Sequence, residues 1–289
     1  MNLDGFHTRT SVSFEANLTH DHLLLNGEPT TGSVLERVSK HLNLIREQSG
    51  SREFARVKSD NNFPTGTGIA SSASAFASLT IAACQALSLN SDERTLSRLA
   101  RRGSGSASRS VPGGFVEWIA GTDDEDSYAY SIAPVDHWDL TDCVAIVSRD
   151  HKITGSQAGH LLADSSPYQS QRVETAPDRL DICRKAIRDR DFEALADVVE
   201  LDSNLMHAVI MTSSPRLLYW KPTTIAVMQA VPVWRKAGLP VCYTIDAGPN
   251  VHLICPADYA MQVKGELERI EGIESVITAN VGGPAHCTS

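Results

Sequence analysis

The stretch Asn61-Asn62-Phe63-Pro64-Thr65-Gly66-Thr67-Gly68-Ile69-Ala70-Ser71-Ser72-Ala73 decides how the rest of the chain is read. It follows a strand-like run, Phe54–Ser59, and opens into a helix of small residues from Ser71 to Leu87. A glycine loop between strand and helix suits a phosphate. Glycines let the backbone come close, first-turn N–H groups lack intrahelical partners, and the helix dipole favours an anion. It is not a Walker A loop, because no Gly-Lys-Ser or Gly-Lys-Thr step is present. Taken alone, the same residues also fit a plain loop with an ordinary N-capping serine.

Working outward, residues 8–26 alternate as two strands, Thr8–Phe14 and His22–Leu25, the second ending in the turn signal Asn26-Gly27. Ser33–Gln48 carries Val34, Leu35, Val38, Leu42 and Ile45 at helical spacing. A further helix is expected over Asp92–Arg101, capped by Asn90 or Ser91. Asp123–Asp126 reads as an exposed turn, with a metal site as its weaker alternative, and Cys143–Val147 as a buried strand near a domain boundary. Helical patterns then cover Ala176–Arg188, Phe192–Val199 and Thr223–Ala237. Strands Val241–Ile245 and Val251–Ile254 bracket Asp246–Asn250, before a helix (Tyr259–Ile270) and a strand (Ser275–Thr278). This order predicts two α+β halves rather than one doubly wound sheet.

The chain has 289 residues, 42% of them hydrophobic, with 35 Asp+Glu against 26 Lys+Arg and a net charge of -9. Such a chain can bury a core, and its acidity argues against coating a nucleic acid or an anionic membrane. No apolar run approaches the roughly 20 residues that cross a bilayer. The six cysteines include no CxxC, so they read as buried free thiols of a reducing compartment. The ten histidines include no HExxH, and His20 with His22 makes only a weak zinc candidate. The opening MNLDGFHTRTSVSF has neither a basic n-region nor an apolar h-region, so a cytoplasmic protein is expected.

Two more loops carry potential chemistry. Gly103-Ser104-Gly105-Ser106-Ala107-Ser108-Arg109-Ser110 alone would be a linker, but it lies between a capped helix and the apolar run Phe115–Ile119. Its hydroxyls and single guanidinium suit a carboxylate or a phosphate. Asp246-Ala247-Gly248-Pro249-Asn250 ends an apolar strand, where the carboxylate could act as a general base or start an Asx turn.

Together, NNFPTGTGIASSASAFASL, GSGSASRSVPGGFVEW and YTIDAGPN resemble the three signature segments of mevalonate diphosphate decarboxylases. That family shares a kinase superfamily with galactokinase, homoserine kinase, mevalonate kinase and phosphomevalonate kinase. Weaker similarity in LLLNGEP, HKITGSQAG and DSNLMHA extends the resemblance over essentially the whole chain. It implies an α+β fold, with a ribosomal protein S5 domain 2-like, ATP-binding domain over residues 1–148. A ferredoxin-like domain over 149–289 would carry the Asp246 loop, with the site in the cleft between. It also implies ATP and Mg2+, no metal-ligating side chains, a homodimer, and no nucleic-acid or membrane partner.

The reaction so implied phosphorylates the C3 hydroxyl of mevalonate 5-diphosphate, then releases phosphate and carbon dioxide to give isopentenyl diphosphate. By the resemblance Asn62, Pro64, Thr65, Gly66, Thr67, Gly68, Ser71 and Ser72 would bind ATP. Asp246 would serve the C3 hydroxyl and Arg109 the substrate carboxylate. Arg37, Ser104, Gly105, Ser106, Ala107, Ser108 and Gln157 would complete the substrate set. The family's first strand and its Lys-Tyr-Trp-Gly-Lys stretch lie upstream of what matches here, so the resemblance implies that both are missing. One alternative reading is therefore an inactive remnant that only binds nucleotide. Another, because Gln157 stands where the family commonly has Thr or a basic residue, is a mevalonate 5-phosphate decarboxylase giving isopentenyl phosphate.

Overall fold

The computed structural model describes residues 1–63, 71–150 and 156–288, leaving aside the side chains of residues 156–158. Its first half runs β1 (Thr8–Glu15), β2 (His22–Leu25), β3 (Glu28–Thr30), α1 (Ser33–Ser49), β4 (Phe54–Asn61), α2 (Ser71–Ala86) and α3 (Glu93–Gly103). A short 3-10 helix (Gly105–Ser110), β5 (Phe115–Trp118) and β6 (Ala129–Ala133) follow. In β4, Ala55, Val57 and Ser59 are buried between exposed neighbours, the period-2 pattern of a sheet with one covered face. The sheet order is β1-β4-β2-β3, with β2 and β4 parallel and the other pairs antiparallel. Leu42 and Ile45 of α1, Phe76, Leu79 and Ala83 of α2, and Leu99 of α3 fill the core over it with Leu23 and Val57. At its margin Arg46 grips buried Asp21 through two bonds of 2.9 Å, and Ala55 N–H donates to the same carboxylate at 2.7 Å.

The second half runs β7 (Leu140–Ile146), α4 (Ser156–Leu162), α5 (Gln169–Glu174), α6 (Ala176–Asp189), α7 (Phe192–Thr212) and α8 (Pro222–Lys236). It ends with β8 (Cys242–Thr244), β9 (Val251–Pro256), α9 (Ala260–Leu267) and β10 (Ser275–Asn280). Its sheet is wholly antiparallel in the order β10-β7-β9-β8. Counted within this half, that is the ferredoxin-like order expected from the resemblance. Val227 and Val231 of α8 with Val263 and Leu267 of α9 cover one face, against Cys143, Ala145, Leu253 and Cys255.

Contacts group the chain into two units, one spanning Asp136–Asn280 and the other taking Met1–Phe63, the segment up to Val135 and the stretch from Val281 onward. The second unit begins ahead of position 149 because β7 lies inside its sheet, between β9 and β10. The last stretch belongs to the first unit through backbone bonds. Gly114 N donates to Gly282 O at 2.9 Å, Gly282 N to Asn2 O at 2.8 Å, and Ala285 N to Val111 O at 3.1 Å.

Several elements differ from the sequence reading. The cap of α3 is Asp92, whose side chain accepts from Thr95 N, rather than Asn90 or Ser91. α7 continues past Val199 to Thr212, although Ser203 and His207 fall on its buried side and break the apolar pattern. β3, β6, α4 and α5 are too short to leave a periodic signal. None of the six cysteines is in a disulfide; Cys84, Cys143, Cys242 and Cys255 are buried, but Cys287 is exposed and Cys183 half-buried. Asp123–Asp126 is a turn in which Asp126 accepts from Thr122 and Asp123 N–H groups at 2.7 and 2.9 Å. No described helix is long and apolar enough to cross a membrane.

Candidate active site

In the first unit, two of the expected segments come together. Ser72, exposed in the first turn of α2, places its Oγ 3.3 Å from Ser104 Oγ at the head of the GSGSASRS turn. Pro64, Thr65, Gly66, Thr67 and Gly68 lie outside the described residues, as does the side chain of Gln157. Asn62 is held next to that loop: its Oδ1 accepts from His7 N at 2.8 Å and its Nδ2 donates to Gly5 O at 2.6 Å.

The turn that looked like a linker is a built element. Ala107 N donates to Ser104 O at 2.8 Å, and Ser108 Oγ donates to Gly105 O at 2.8 Å. From α3, buried Ser97 donates to Ser108 O at 2.9 Å while accepting from Ala129 N at 2.8 Å, which ties the turn to β6. Ala107 and Ser108, expected to contact the substrate, are fully buried and offer it no surface, because the turn packs them inward. Ser104, Gly105 and Ser106 are half-buried. Arg109 is exposed, with its guanidinium carbon 5.7 Å from the Trp118 ring centroid.

Arg37 has a specific task at the head of this turn. Its Nη2 donates to Gly103 O at 2.7 Å, and the guanidinium lies 4.5 Å from the centroid of Phe76. Gly103 must lack a side chain, because a Cβ there would overlap the Phe76 ring. Beneath it, buried His41 meets Thr80 Oγ1 through Nε2 at 2.8 Å, and Thr80 donates to Phe76 O at 2.6 Å. Burial, with Arg37 and Arg102 adding positive charge, pushes the His41 pKa down to about 4.

In the second unit, Asp246 follows β8 and its side chain is exposed, while Ile245 before it and Gly248, Pro249 and Asn250 after it are buried. Asn250 Oδ1 accepts from Val147 N at 2.8 Å and Ser148 N at 3.1 Å. Thr224 Oγ1 donates to Pro249 O at 2.7 Å, and Gly248 N to Asp246 O at 2.8 Å. On the other side, Ile245 N donates to Ser203 Oγ at 3.0 Å and its carbonyl meets His207 Nε2 at 3.0 Å. An exposed carboxylate on a backbone tied down at both ends is what proton acceptance from a bound alcohol requires.

Residues 1–129 match the family model described as the diphosphomevalonate decarboxylase-like N-terminal domain, and 143–286 the mevalonate 5-diphosphate decarboxylase C-terminal domain. The diphosphomevalonate decarboxylase of Candida albicans is 37% identical over 262 residues, covering 86% of this chain and 72% of that one. The chain belongs to the diphosphomevalonate decarboxylase family. A second relative is the phosphomevalonate decarboxylase of Haloferax volcanii, 34% identical over 283 residues, covering 96% of this chain and 85% of that one. Among solved structures, MDDEF in complex with MVAPP, AMPPCP and magnesium superimposes with a TM-score of 0.91 at 35% identity, covering 98% of this chain and 86% of that one.

Within this diphosphomevalonate decarboxylase fold, Ser203, His207 and Thr224 are the residues that the sequence reading left without a task. Their signal was present: Ser203 and His207 are four apart on α7, hence on one face, inside the segment DSNLMHA. Among the described residues no group of three or more His, Cys, Asp or Glu side chains is placed to hold a metal.

Proposed function

We propose that this chain uses ATP to phosphorylate the tertiary C3 hydroxyl of mevalonate 5-diphosphate and then forms isopentenyl diphosphate, phosphate and carbon dioxide. The observation that carries the reading is the exposed Asp246 carboxylate on its anchored loop in a chain of this family. A tertiary alcohol is a weak nucleophile, so the carboxylate takes or orients its proton as the phosphoryl group arrives. When phosphate leaves C3, the bond between C1 and C2 breaks and its electrons form the C2=C3 alkene. Asp246 then stabilises the positive charge developing at C3. Arg109 orients the departing carboxylate, and Ser104 and Ser106 bind the substrate beside it.

Ser71 and Ser72, with the glycine loop before them, receive the ATP phosphates at the start of the 16-residue helix α2. Magnesium would arrive on the nucleotide, held by phosphate oxygens and water. The first unit would supply the nucleotide side of the chemistry and the second, Asp136–Asn280, the Asp246 loop, in a cytoplasmic homodimer.

A second reading, decarboxylation of mevalonate 5-phosphate, is favoured by one observation. A relative 34% identical over 283 residues, that of Haloferax volcanii, is a phosphomevalonate decarboxylase. Measuring ADP and carbon dioxide separately with each substrate tests both. Both products from the 5-diphosphate are expected; preference for the 5-phosphate selects the second reading. ADP alone means a kinase, and neither product means a protein that only binds nucleotide.

A further inference from the structure

Both polar side chains that α7 buries opposite the strand end leading into the Asp246 loop are directed at the backbone of one residue, Ile245. Ser203 and His207 are 5% and 1% exposed, and each meets a backbone group of Ile245 at 3.0 Å. A carbonyl oxygen can only accept, so His207 Nε2 carries the hydrogen and Nδ1 takes the other role. Burial holds the imidazole pKa below its ordinary value despite the Ile245 bond and the nearby Asp246 charge, which keeps a single N–H. Trp220 leans over the ring, with centroids 4.9 Å apart and planes tilted 41°. Two buried polar groups in a core helix are costly unless satisfied, and here the backbone beside Asp246 satisfies them.

We infer that His207 is a positioning residue for the proposed reaction: it holds the Ile245 carbonyl while Ser203 holds the Ile245 N–H, so that the Asp246 carboxylate on the next residue is presented to the substrate hydroxyl in one orientation. The inference rests on reading Asp246 as the group that serves that hydroxyl. The reason for such a clamp is geometric, since a displacement of about 1 Å at a reacting group can cost on the order of a hundredfold in rate. Its partner clamp, Asn250 on Val147 and Ser148, restrains the far end of the same loop.

The test uses the full chain with ATP and mevalonate 5-diphosphate, comparing His207→Leu, His207→Gln and Ser203→Ala, each alone and combined with Asp246→Asn. His207→Leu is expected to lower kcat about ten- to a hundredfold, with KM for both substrates changed by less than about twofold. His207→Gln, which can return an N–H near the Nε2 position, is expected to recover kcat to within about threefold of the unmodified chain. In the Asp246→Asn background, the Leu and Ala changes should each cost less than about twofold more, because no carboxylate remains to be aimed. A penalty of the same size in both backgrounds, or an unchanged kcat in His207→Leu, overturns the inference. If His207→Leu does not fold, Ser203→Ala decides by the same cycle. Turnover absent from the unmodified chain overturns the function reading and this inference with it; turnover with the wrong cycle overturns the clamp alone.

Discussion

Ser72 and Ser104 meet hydroxyl to hydroxyl at 3.3 Å, joining the first turn of α2 to the head of the GSGSASRS turn. Groups proposed for the nucleotide phosphates and for the substrate are therefore adjacent within one unit. Ser104→Ala removes the hydroxyl proposed to bind the substrate, a contact worth about 0.5–1.5 kcal/mol. The expected result is a rise of about two- to tenfold in KM for the mevalonate substrate, and loss of the exposed bond to Ser72 is expected to lower stability in urea by no more than about 1 kcal/mol. Steady-state kinetics at saturating ATP checks it.

Asp246→Asn and Arg109→Ala act on the two side chains proposed to meet the reacting groups. Each is expected to lower kcat by at least about two powers of ten, because one removes the proton acceptor and the other the orienting cation. Either variant turning over like the unmodified chain would sink the assignment of these roles.

Arg37 and Gly103 support the turn from behind. Gly103→Ala drives a methyl into the Phe76 ring, which is itself held between Arg37 and His41. Overpacking of this kind is expected to destabilise the chain by about 1–3 kcal/mol. Equilibrium urea unfolding reads the loss directly.

His41 makes stability depend on pH. Its pKa falls to about 4 in the folded chain, through burial first and then Arg37 and Arg102, against roughly 6.5 unfolded. The folded state therefore binds fewer protons between these values, and stability falls with acidification. The contribution is complete above about pH 6.5 and is lost as the pH drops to about 4, a change on the order of 3 kcal/mol. His41→Gln can still donate to Thr80 but does not titrate. Unfolding at a series of pH values is expected to show a flatter acid limb for that variant.

Much of this architecture was legible as period. β1 and α1 follow from alternation and from Leu35, Val38, Leu42 and Ile45, because one covered face demands that spacing. Asp246 and Arg109 stand out as single charges among glycines and small residues, and the family resemblance supplies the roles proposed for them. The extension of α7 was not legible, since Ser203 and His207 turn polar groups toward the core, and a periodic reading takes that as a helix end. The order within GSGSASRS was hidden for a related reason. It depends on Ser97 and Ala129, eleven or more residues away from Ser108, and local sequence says nothing of such partners.

The bonds that Gly282 and Ala285 make with Asn2, Gly114 and Val111 set a timetable for biogenesis. The first unit includes backbone from both sides of the second, so its final pairings cannot close until the ribosome has made nearly the whole chain. Because domains tend to fold as units during synthesis, the nascent first unit waits with the Val111 carbonyl and the Gly114 N–H unmatched while residues 136–280 emerge and fold. A polypeptide cut after Val135 would stay in that waiting state, and adding the peptide 281–289 in trans is the direct way to release it.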